Sequence, residues 1–316
     1  MRRLAIMPFA VLAVLPSFAQ SAPVITKLGT IACDMVETAP VAFRGTLYRF
    51  EYVRENYAYN ALGRTYFRFV DAASDRIAST AFALDCHLGS VFVHEDHVYA
   101  WGVPKWGADR VYAWRSGDLA AWKPLPAFVL DGWSIFNTSV CKGPDGFVMA
   151  LEIDKPVAEA GAPFTIRFAT SNDLVTWKLT GPECVYTKER YSACPTIRFY
   201  DGYYYMVYLG AYPGEWEPEL VRSRDLKSWE ISPFKPIMHH GDEDRRIANP
   251  KLTAAERRRV RTAKNANNSD LDFTEYDGKT IIYYSWGNQH GIEHLAVAEY
   301  AGSEREFLTG FFPGGR

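Results

Sequence analysis

The chain has 316 residues, is 48% hydrophobic and carries a formal net charge of −2. A chain of this length can bury a large core without disulfide bonds, and its balanced charge gives no reason to expect a nucleic acid as partner. Aromatic residues make up 15% of the sequence and favour β-structure, because they suit the half-buried surface of a sheet. We therefore expect an ordinary soluble globular protein that is rich in strands.

Residues 1–22 have the features of a secretory signal peptide. Arg2 and Arg3 precede an apolar stretch of suitable length, and Ser17 and Ala19 supply small residues at positions −3 and −1 of a cleavage site. No later segment approaches the roughly 20 apolar residues of a membrane-spanning helix. We expect the mature protein to be periplasmic or secreted, without membrane contact after cleavage.

A short turn pattern recurs along the mature chain. Ser-x-Asp-Leu-x-x-Trp occupies residues 116–122, 171–177 and 223–229. The Asp can accept backbone N–H groups within a turn, and the Leu and Trp can pack between sheets. Hairpin-turn signals recur as well, at 44–45, 95–96, 145–146, 201–202 and 277–278. This self-similarity, at about 50–55 residues, is typical of a propeller or a solenoid.

Each repeat contains four short strands and no helix, which predicts an all-β fold, a five-bladed β-propeller with four-stranded blades. The blades cover about 30–80, 85–128, 135–180, 190–232 and 266–312, within one domain over 23–316. A helical insertion is predicted between blades 4 and 5, at about 239–266, where Thr253 and Glu256 form a capping box. In blade 5, Phe307 takes the place of the repeated Trp.

Strand order predicts different roles for the two ends of the propeller. If each first strand starts at the top, the repeated turns lie at the bottom and are scaffold. The top then carries the strand starts and the irregular loops, whose aromatic and hydrogen-bonding side chains suit carbohydrate. The substrate-binding candidates there are His87, Asn137, Tyr191, Trp216, Asp272, Trp286, Asn288, Gln289 and His290.

The Asp-Gly-x-Tyr-Tyr hairpin and the Ser-x-Asp-Leu-x-x-Trp turns resemble those of the five-bladed propeller glycoside hydrolases, family 43 and its relatives in families 62, 32, 68 and 117. The resemblance covers essentially the whole mature chain. It implies an active site in the top of the central cavity and arabinofuranosyl, xylosyl, fructosyl or galactosyl-type linkages as substrates. The activity that the resemblance implies requires no cofactor. A structural calcium ion in the central channel is possible, but no motif supports it.

Glycoside cleavage needs two carboxyl groups, one as acid and one as base or nucleophile. The family's blade 1 Asp, second Asp and Glu acid fall here on Glu37, Asn137 and Ala193, so two of the three carboxylates are replaced. The catalytic candidates are therefore Asp34, Glu37, Glu152, Glu189 and Asp270. In this hypothesis Asp34 or Glu37 is the base, Glu152 or Glu189 is the acid, and Asp270 orients the sugar or adjusts the pKa of the acid.

Each candidate carboxylate has an alternative role in a salt bridge or as a cap for channel backbone. His87 could act as an acid, hold an ion or be structural. The favoured function is an exported glycoside hydrolase acting on a plant, algal or microbial polysaccharide or oligosaccharide. The alternative is a carbohydrate-binding propeller without activity, because two family carboxylates are missing. A protein-interaction propeller is less favoured, because the top loops indicate a cavity rather than a flat apolar patch.

Overall fold

The computed structural model describes residues 21–55 and 64–313. The predicted signal peptide lies almost entirely outside these residues and stays a prediction. In the described part of the chain, no helix is both long enough and apolar enough to cross a membrane.

Strands dominate the described residues. They are β1 (Thr26–Cys33), β2 (Ala39–Phe43), β3 (Thr46–Arg54), β4 (Thr65–Asp71), β5 (His87–His94), β6 (His97–Val103), β7 (Arg110–Ser116), β8 (Lys123–Val129), β9 (Ser134–Gly143), β10 (Gly146–Lys155), β11 (Thr165–Ser171), β12 (Lys178–Leu179), β13 (Ala193–Tyr200), β14 (Tyr203–Tyr212), β15 (Glu215–Ser223), β16 (Trp229–Ile231), β17 (Asn267–Tyr276), β18 (Lys279–Gly287) and β19 (Glu293–Tyr300). The α-helices are α1 (Val157–Ala160), α2 (Ala254–Thr262) and α3 (Glu304–Gly310), and a 3₁₀ helix spans Asp242–Arg245.

The strands form five antiparallel units arranged like blades. The units are β2–β4, β5–β8, β9–β12, β13–β16, and β17–β19 together with β1. One parallel pair, Trp216 with Asn267, joins the last two units into a single eight-stranded sheet. Their first strands contact one another in a ring, β2 to β5, β9, β13 and β17 and back to β2. Residues from all five first strands line a narrow channel along the ring axis. The predicted all-β propeller fold is confirmed, and the helical insertion lies where it was predicted, with Thr253 capping α2.

Blade 5 is completed differently from the prediction. Residues 30–33 were assigned to blade 1, and the segment around Phe307 was read as a last degenerate repeat. Instead, β1 runs antiparallel to β19, with Thr26 opposite Glu299 and Cys33 opposite His294. The segment around Phe307 is helix α3, because Ser303 and Glu306 form a capping box at its start. The outer strand of blade 5 therefore comes from the sequence that precedes blade 1, and its pairing with β19 closes the ring of blades.

The repeated turns have the predicted geometry. In the copy at 223–229, Asp225 Oδ1 accepts the backbone N–H groups of Lys227 and Ser228 at 2.9 and 2.8 Å. These hydrogen bonds lower the pKa of Asp225. Leu226 has a φ of 62°, and Leu119 and Leu174 repeat this left-handed conformation. The prediction that the Asp accepts backbone N–H groups is confirmed.

The Trp of each turn packs on the preceding blade. The Trp122 ring stacks on Phe82 with centroids 3.8 Å apart and an interplanar angle of 5°. Trp229 stacks on Phe168 at 5.6 Å, and Trp177 meets Trp101 edge to face at 6.2 Å. Aromatic pairs in these arrangements stabilise beyond the area they bury. The predicted packing of these residues between sheets is confirmed.

The contact between blades 1 and 2 can be tested through Trp122. Trp122→Ala should lower the free energy of unfolding by about 2–4 kcal/mol, because it removes a stacked, half-buried ring. Trp122→Phe keeps a ring in place and should lose less than about 1.5 kcal/mol. Urea denaturation followed by circular dichroism gives both values. A Trp122→Ala loss no greater than that of Trp106→Ala, which removes an exposed ring, would contradict this packing role.

Candidate active site

A cavity of about 260 Å³ opens where the first strands begin. Its walls come from the starts of first strands and from the loops between second and third strands, as expected for the predicted top face. The lining residues are Val36, Glu37, Arg54, Trp106, Asn137, Glu152, Phe164, Tyr191, Ala193, Cys194, Leu209, Trp216, Ser269, Asp270, Gln289, His290 and Glu293. A smaller cavity continues below it along the channel axis.

Four carboxyl groups and one guanidinium group share this cavity. Glu37, Glu152 and Asp270 were predicted from the sequence, and the structure brings these three together. Glu293, the first residue of β19, was not predicted. Arg54, at the end of β3, is the cationic side chain of the lining. The site is therefore acidic, and its carboxyl groups influence one another's ionisation.

Glu152 is buried between blades 3 and 4. Its Oε2 accepts the backbone N–H of Cys194 at 2.7 Å and the side-chain amide of Asn137 at 3.0 Å. Burial raises the pKa of Glu152 to about 7, with the charge of Asp270 adding to the rise, although the two hydrogen bonds oppose it. A carboxyl group with this pKa can hold a proton near neutral pH, as a general acid requires.

Glu293 is a second buried carboxyl group, with 6% of its surface exposed. It accepts hydrogen bonds from the Asn267 amide and from the backbone N–H of Gln289. Burial raises its pKa to about 8, and the charge of Asp270 contributes. One sequence feature could have revealed it, since Glu293 lies three residues after His290, the last candidate of the predicted top-face loop.

Glu37 lies in the link between β1 and β2. Its Oε2 atom is buried and has no hydrogen-bond partner among the described residues. Burial first, and then the charge of Asp270, raise the pKa of Glu37 well above its ordinary value, although Arg54 acts in the opposite direction. A buried carboxyl oxygen without a partner is unfavourable unless a ligand satisfies it.

Left-handed backbone recurs where the first strands reach the cavity. Glu37, Cys194 and Asp270 have φ values of 53°, 49° and 51°. Cys194 and Asp270 lie within register shifts of β13 and β17. Non-glycine residues in this region carry a cost of about 1–2 kcal/mol and cluster at functional sites. The shift in β13 accompanies the hydrogen bond from the Cys194 N–H to Glu152.

The rest of the wall is largely aromatic. Tyr191 and Phe164 pack against each other with ring centroids 5.8 Å apart, and the Trp216 ring meets His290 at 6.2 Å. Asn137, Tyr191, Trp216, Gln289 and His290 were predicted to bind substrate, and all five line the cavity. Aromatic walls with a few convergent polar groups are typical of small-molecule sites.

Two predicted catalytic residues do not line the cavity. Asp34 forms a two-pronged ion pair with Arg259 of α2, with one contact of 2.7 Å, so its carboxylate anchors the insertion. Glu189 is exposed, and its backbone N–H hydrogen bonds to the Thr187 hydroxyl. The alternative structural role considered for Asp34 fits this position.

Four predicted binding residues also lie away from the cavity walls. The His87 ring hydrogen bonds to the Tyr52 hydroxyl at 2.6 Å, and burial lowers its pKa. Trp286 is fully buried and donates to the Thr30 hydroxyl, so its ring is core packing. Asn288 accepts N–H groups of its own loop, and Asp272 pairs with Arg198 lower in the channel.

The described residues include free cysteines and a group of side chains close enough to hold a metal ion. The five cysteines are all free. Within the described ranges, a group of three His, Cys, Asp or Glu ligands close enough for one ion occurs at Glu215, Glu217 and His240, and not in the channel. The structural calcium ion considered for the channel stays untested.

The sequence matches no family model and no curated protein. The structure, however, resembles solved glycoside hydrolases. The α-L-arabinofuranosidase from Podospora anserina in complex with cellotriose is 8% identical with a TM-score of 0.59, and the match covers 88% of this chain and 98% of that chain. A glycosyl hydrolase from Bacteroides ovatus is 10% identical with a TM-score of 0.55, and the match covers 87% and 90%.

The α-L-arabinanase from Cellvibrio cellulosa, complexed with arabinohexaose, is 11% identical with a TM-score of 0.52, and the match covers 85% of this chain and 91% of that chain. At these identities the similarity shows the fold alone. The predicted resemblance to the propeller glycoside hydrolases is confirmed at that level.

The buried carboxyl groups predict a pH dependence of stability. Glu152 and Glu293 bind protons more tightly in the folded chain than an unfolded Glu, whose pKa is about 4.3. Their contribution is fully present below that pH and is lost as pH rises through their folded pKa values of about 7 and about 8. The free energy of unfolding should therefore fall between about pH 5 and 8, by about 1–3 kcal/mol for each group.

Glu152→Gln and Glu293→Gln cannot ionise, so each should flatten this slope, which urea denaturation at a series of pH values measures. Glu95→Gln is the matched control, because it removes a 79% exposed carboxyl group in a bottom turn and should leave the slope unchanged. Slopes in the two cavity variants equal to that of the unsubstituted protein would contradict the burial of these groups.

Proposed function

We propose that this protein is a glycoside hydrolase that cleaves glycosidic bonds in a plant, algal or microbial polysaccharide or oligosaccharide. The observation that carries the proposal is the group of four carboxyl side chains in one cavity, of which Glu152 and Glu293 have pKa values near or above neutrality. Glycoside cleavage uses one protonated and one ionised carboxyl group. A cavity in which neighbouring carboxyl groups have different pKa values can provide both.

In this proposal Glu152 is the general acid. It is buried, its pKa is about 7, and its hydrogen bonds to Cys194 N–H and to the Asn137 amide fix the carboxyl plane. The family position for this acid holds Ala193 in this chain. Ala193 immediately precedes Cys194, so the carboxyl group of Glu152 reaches the same part of the cavity from β10 instead of from β13.

Asp270 is assigned as the ionised partner that activates water or attacks the sugar. Its negative charge raises the pKa values of Glu37, Glu152 and Glu293, which favours the protonated form of these three groups. The Ser269 hydroxyl donates to Asp270 Oδ2 at 3.1 Å. This assignment differs from the sequence-based prediction, in which Asp34 or Glu37 is the base, because the raised pKa of Glu37 makes it a weaker candidate for that role.

Glu37 and Glu293 then hydrogen bond to sugar hydroxyls. The unpartnered Oε2 of Glu37 lies in the cavity lining, where a hydroxyl group of the substrate would satisfy it. Tyr191 and Trp216 supply aromatic surface for the apolar face of a sugar ring. The cavity, at about 260 Å³, is close to the lower end of the usual range for ligand sites, about 300–1,000 Å³, and suits a small part of a glycan.

The fold supports this choice of reaction, and the proteins with a similar fold include an α-L-arabinofuranosidase and an α-L-arabinanase. Arabinofuranosyl linkages are therefore the first substrates to test. Export by the predicted signal peptide remains part of the proposal. The replacement of two family carboxylates by Asn137 and Ala193 favours the second candidate, a propeller that binds carbohydrate without cleaving it.

A screen of reducing-sugar release from arabinans, xylans, fructans, galactans and uronic-acid glycans tests the proposal. The protein should release sugar from at least one class, and Glu152→Gln and Asp270→Asn should each lower kcat at least about a hundredfold, because each removes an acid or base group. Glu95→Gln should keep the full rate. Sugar binding without release by the unsubstituted protein would contradict hydrolysis and favour the second candidate.

The acid assignment also predicts a pH–rate profile. Because Glu152 must carry a proton, kcat/KM should fall as pH rises through about 7 in the free enzyme. The residual activity of Glu152→Gln should lack this decline. Initial rates on the best substrate from the screen, measured from pH 5 to 9, give the profile. A kcat/KM that increases from pH 7 to 9 would remove Glu152 as the acid.

A further inference from the structure

A second group of ionisable side chains lies outside the cavity, at the junction of blade 4 and the insertion. Glu215 and Glu217 are two residues apart at the start of β15, so they share one face of the strand. His240 precedes the 3₁₀ helix of the insertion. One ligand atom from each of these three residues lies within 4.8 Å of the other two.

Glu217 is the buried centre of this group, with 2% of its surface exposed. It accepts the His240 backbone N–H at 3.0 Å, and its Oε1 lies 2.6 Å from the His240 Nδ1. A largely desolvated carboxylate is stabilised by a nearby positive charge, which a metal ion supplies more strongly than an imidazole proton.

A fourth ligand is available beside these three. His239 Nδ1 lies 3.8 Å from Glu217 Oε1, and the His239 side chain is 74% exposed, so it can turn towards an ion. Two imidazoles and two carboxylates match the ligands that divalent transition metals of the zinc type prefer. The bond from the His240 N–H to Glu217 orients that carboxylate, as an outer hydrogen bond does in known metal sites.

The position of the group links it to the cavity. Trp216 stands between Glu215 and Glu217 and points to the opposite side of β15, where it lines the cavity wall. The Trp216 backbone N–H also bonds to Ala266 O, at the end of the insertion. An ion held by Glu215, Glu217 and His240 would therefore fix the start of the insertion to the strand that carries this wall residue.

We propose that Glu215, Glu217 and His240, with His239 as a fourth ligand, bind one divalent cation of the zinc type that anchors the insertion to blade 4. The ion takes the place of the hydrogen between His240 Nδ1 and Glu217 Oε1, and the neutral imidazole then carries its hydrogen on Nε2. This site is separate from the proposed catalytic cavity and does not depend on the reaction there.

Isothermal titration calorimetry of the tag-free mature protein with ZnCl₂, after treatment with a chelator and dialysis, tests the site. The protein should bind one Zn²⁺ per chain, and CaCl₂ should give no comparable binding because calcium prefers oxygen ligands. His240→Gln and Glu217→Gln should each weaken Zn²⁺ binding by more than about tenfold, the least that loss of an outer hydrogen-bond partner costs. Bound Zn²⁺ should also raise the Tm of the unsubstituted protein but not of these variants.

His94→Gln is the matched control. His94 also contacts a carboxylate, with Nε2 3.6 Å from Glu95 Oε1, but it belongs to no three-ligand group in the described residues. Its Zn²⁺ affinity should be unchanged. If a variant of buried Glu217 fails to fold, Glu215→Gln tests the same site from an exposed position. Absence of submillimolar Zn²⁺ binding, or retention of full affinity by His240→Gln and Glu215→Gln, would overturn the proposal.

Discussion

The pairing of β1 with β19 is the constraint on which the site depends. Because β1 supplies the outer strand of blade 5, the ring is closed by backbone hydrogen bonds between two distant parts of the chain. The same pairing continues to the Asp34 N–H, which donates to the Glu293 carbonyl at 3.0 Å. Glu37 follows three residues later. Ring closure therefore brings two carboxyl groups, those of Glu37 and Glu293, into the same cavity.

Closure of the ring also determines the chemistry of these groups. The first strands converge at the cavity and exclude water from Glu152 and Glu293, and this burial is the largest cause of their raised pKa values. Cys194 and Asp270, which have left-handed backbone conformations, bend β13 and β17 where these strands reach the cavity. Strained backbone and the ionisation of buried carboxyl groups both reduce stability, and the packing between blades, such as Trp122 on Phe82, offsets these costs.

Local features of the fold could be predicted from the sequence, whereas non-local ones could not. The Asp225 turn and the helix that Thr253 caps depend on side chains that bond to backbone within three residues, so sequence reveals them. The pairing of β1 with β19 is non-local, because it joins two distant parts of the chain. The sequence pattern of β1 fits a strand of blade 1 equally well. Trp286 was misassigned because its direction depends on which side of β18 faces the core. Glu152 lies at the predicted top of blade 3, but its contact with Cys194 joins two blades and has no signal in the local sequence.

The central claim is that Glu152 and Asp270 act on opposite parts of one sugar linkage in the cavity. A crystal structure of the Asp270→Asn variant with a bound oligosaccharide of the cleaved glycan tests this most directly. The account predicts a glycosidic oxygen within hydrogen-bonding distance of the Glu152 carboxyl group, about 2.6–3.2 Å, with the sugar ring between residues 152 and 270. An oligosaccharide bound outside this cavity, or bound in it with Glu152 out of reach of the glycosidic oxygen, would contradict the account.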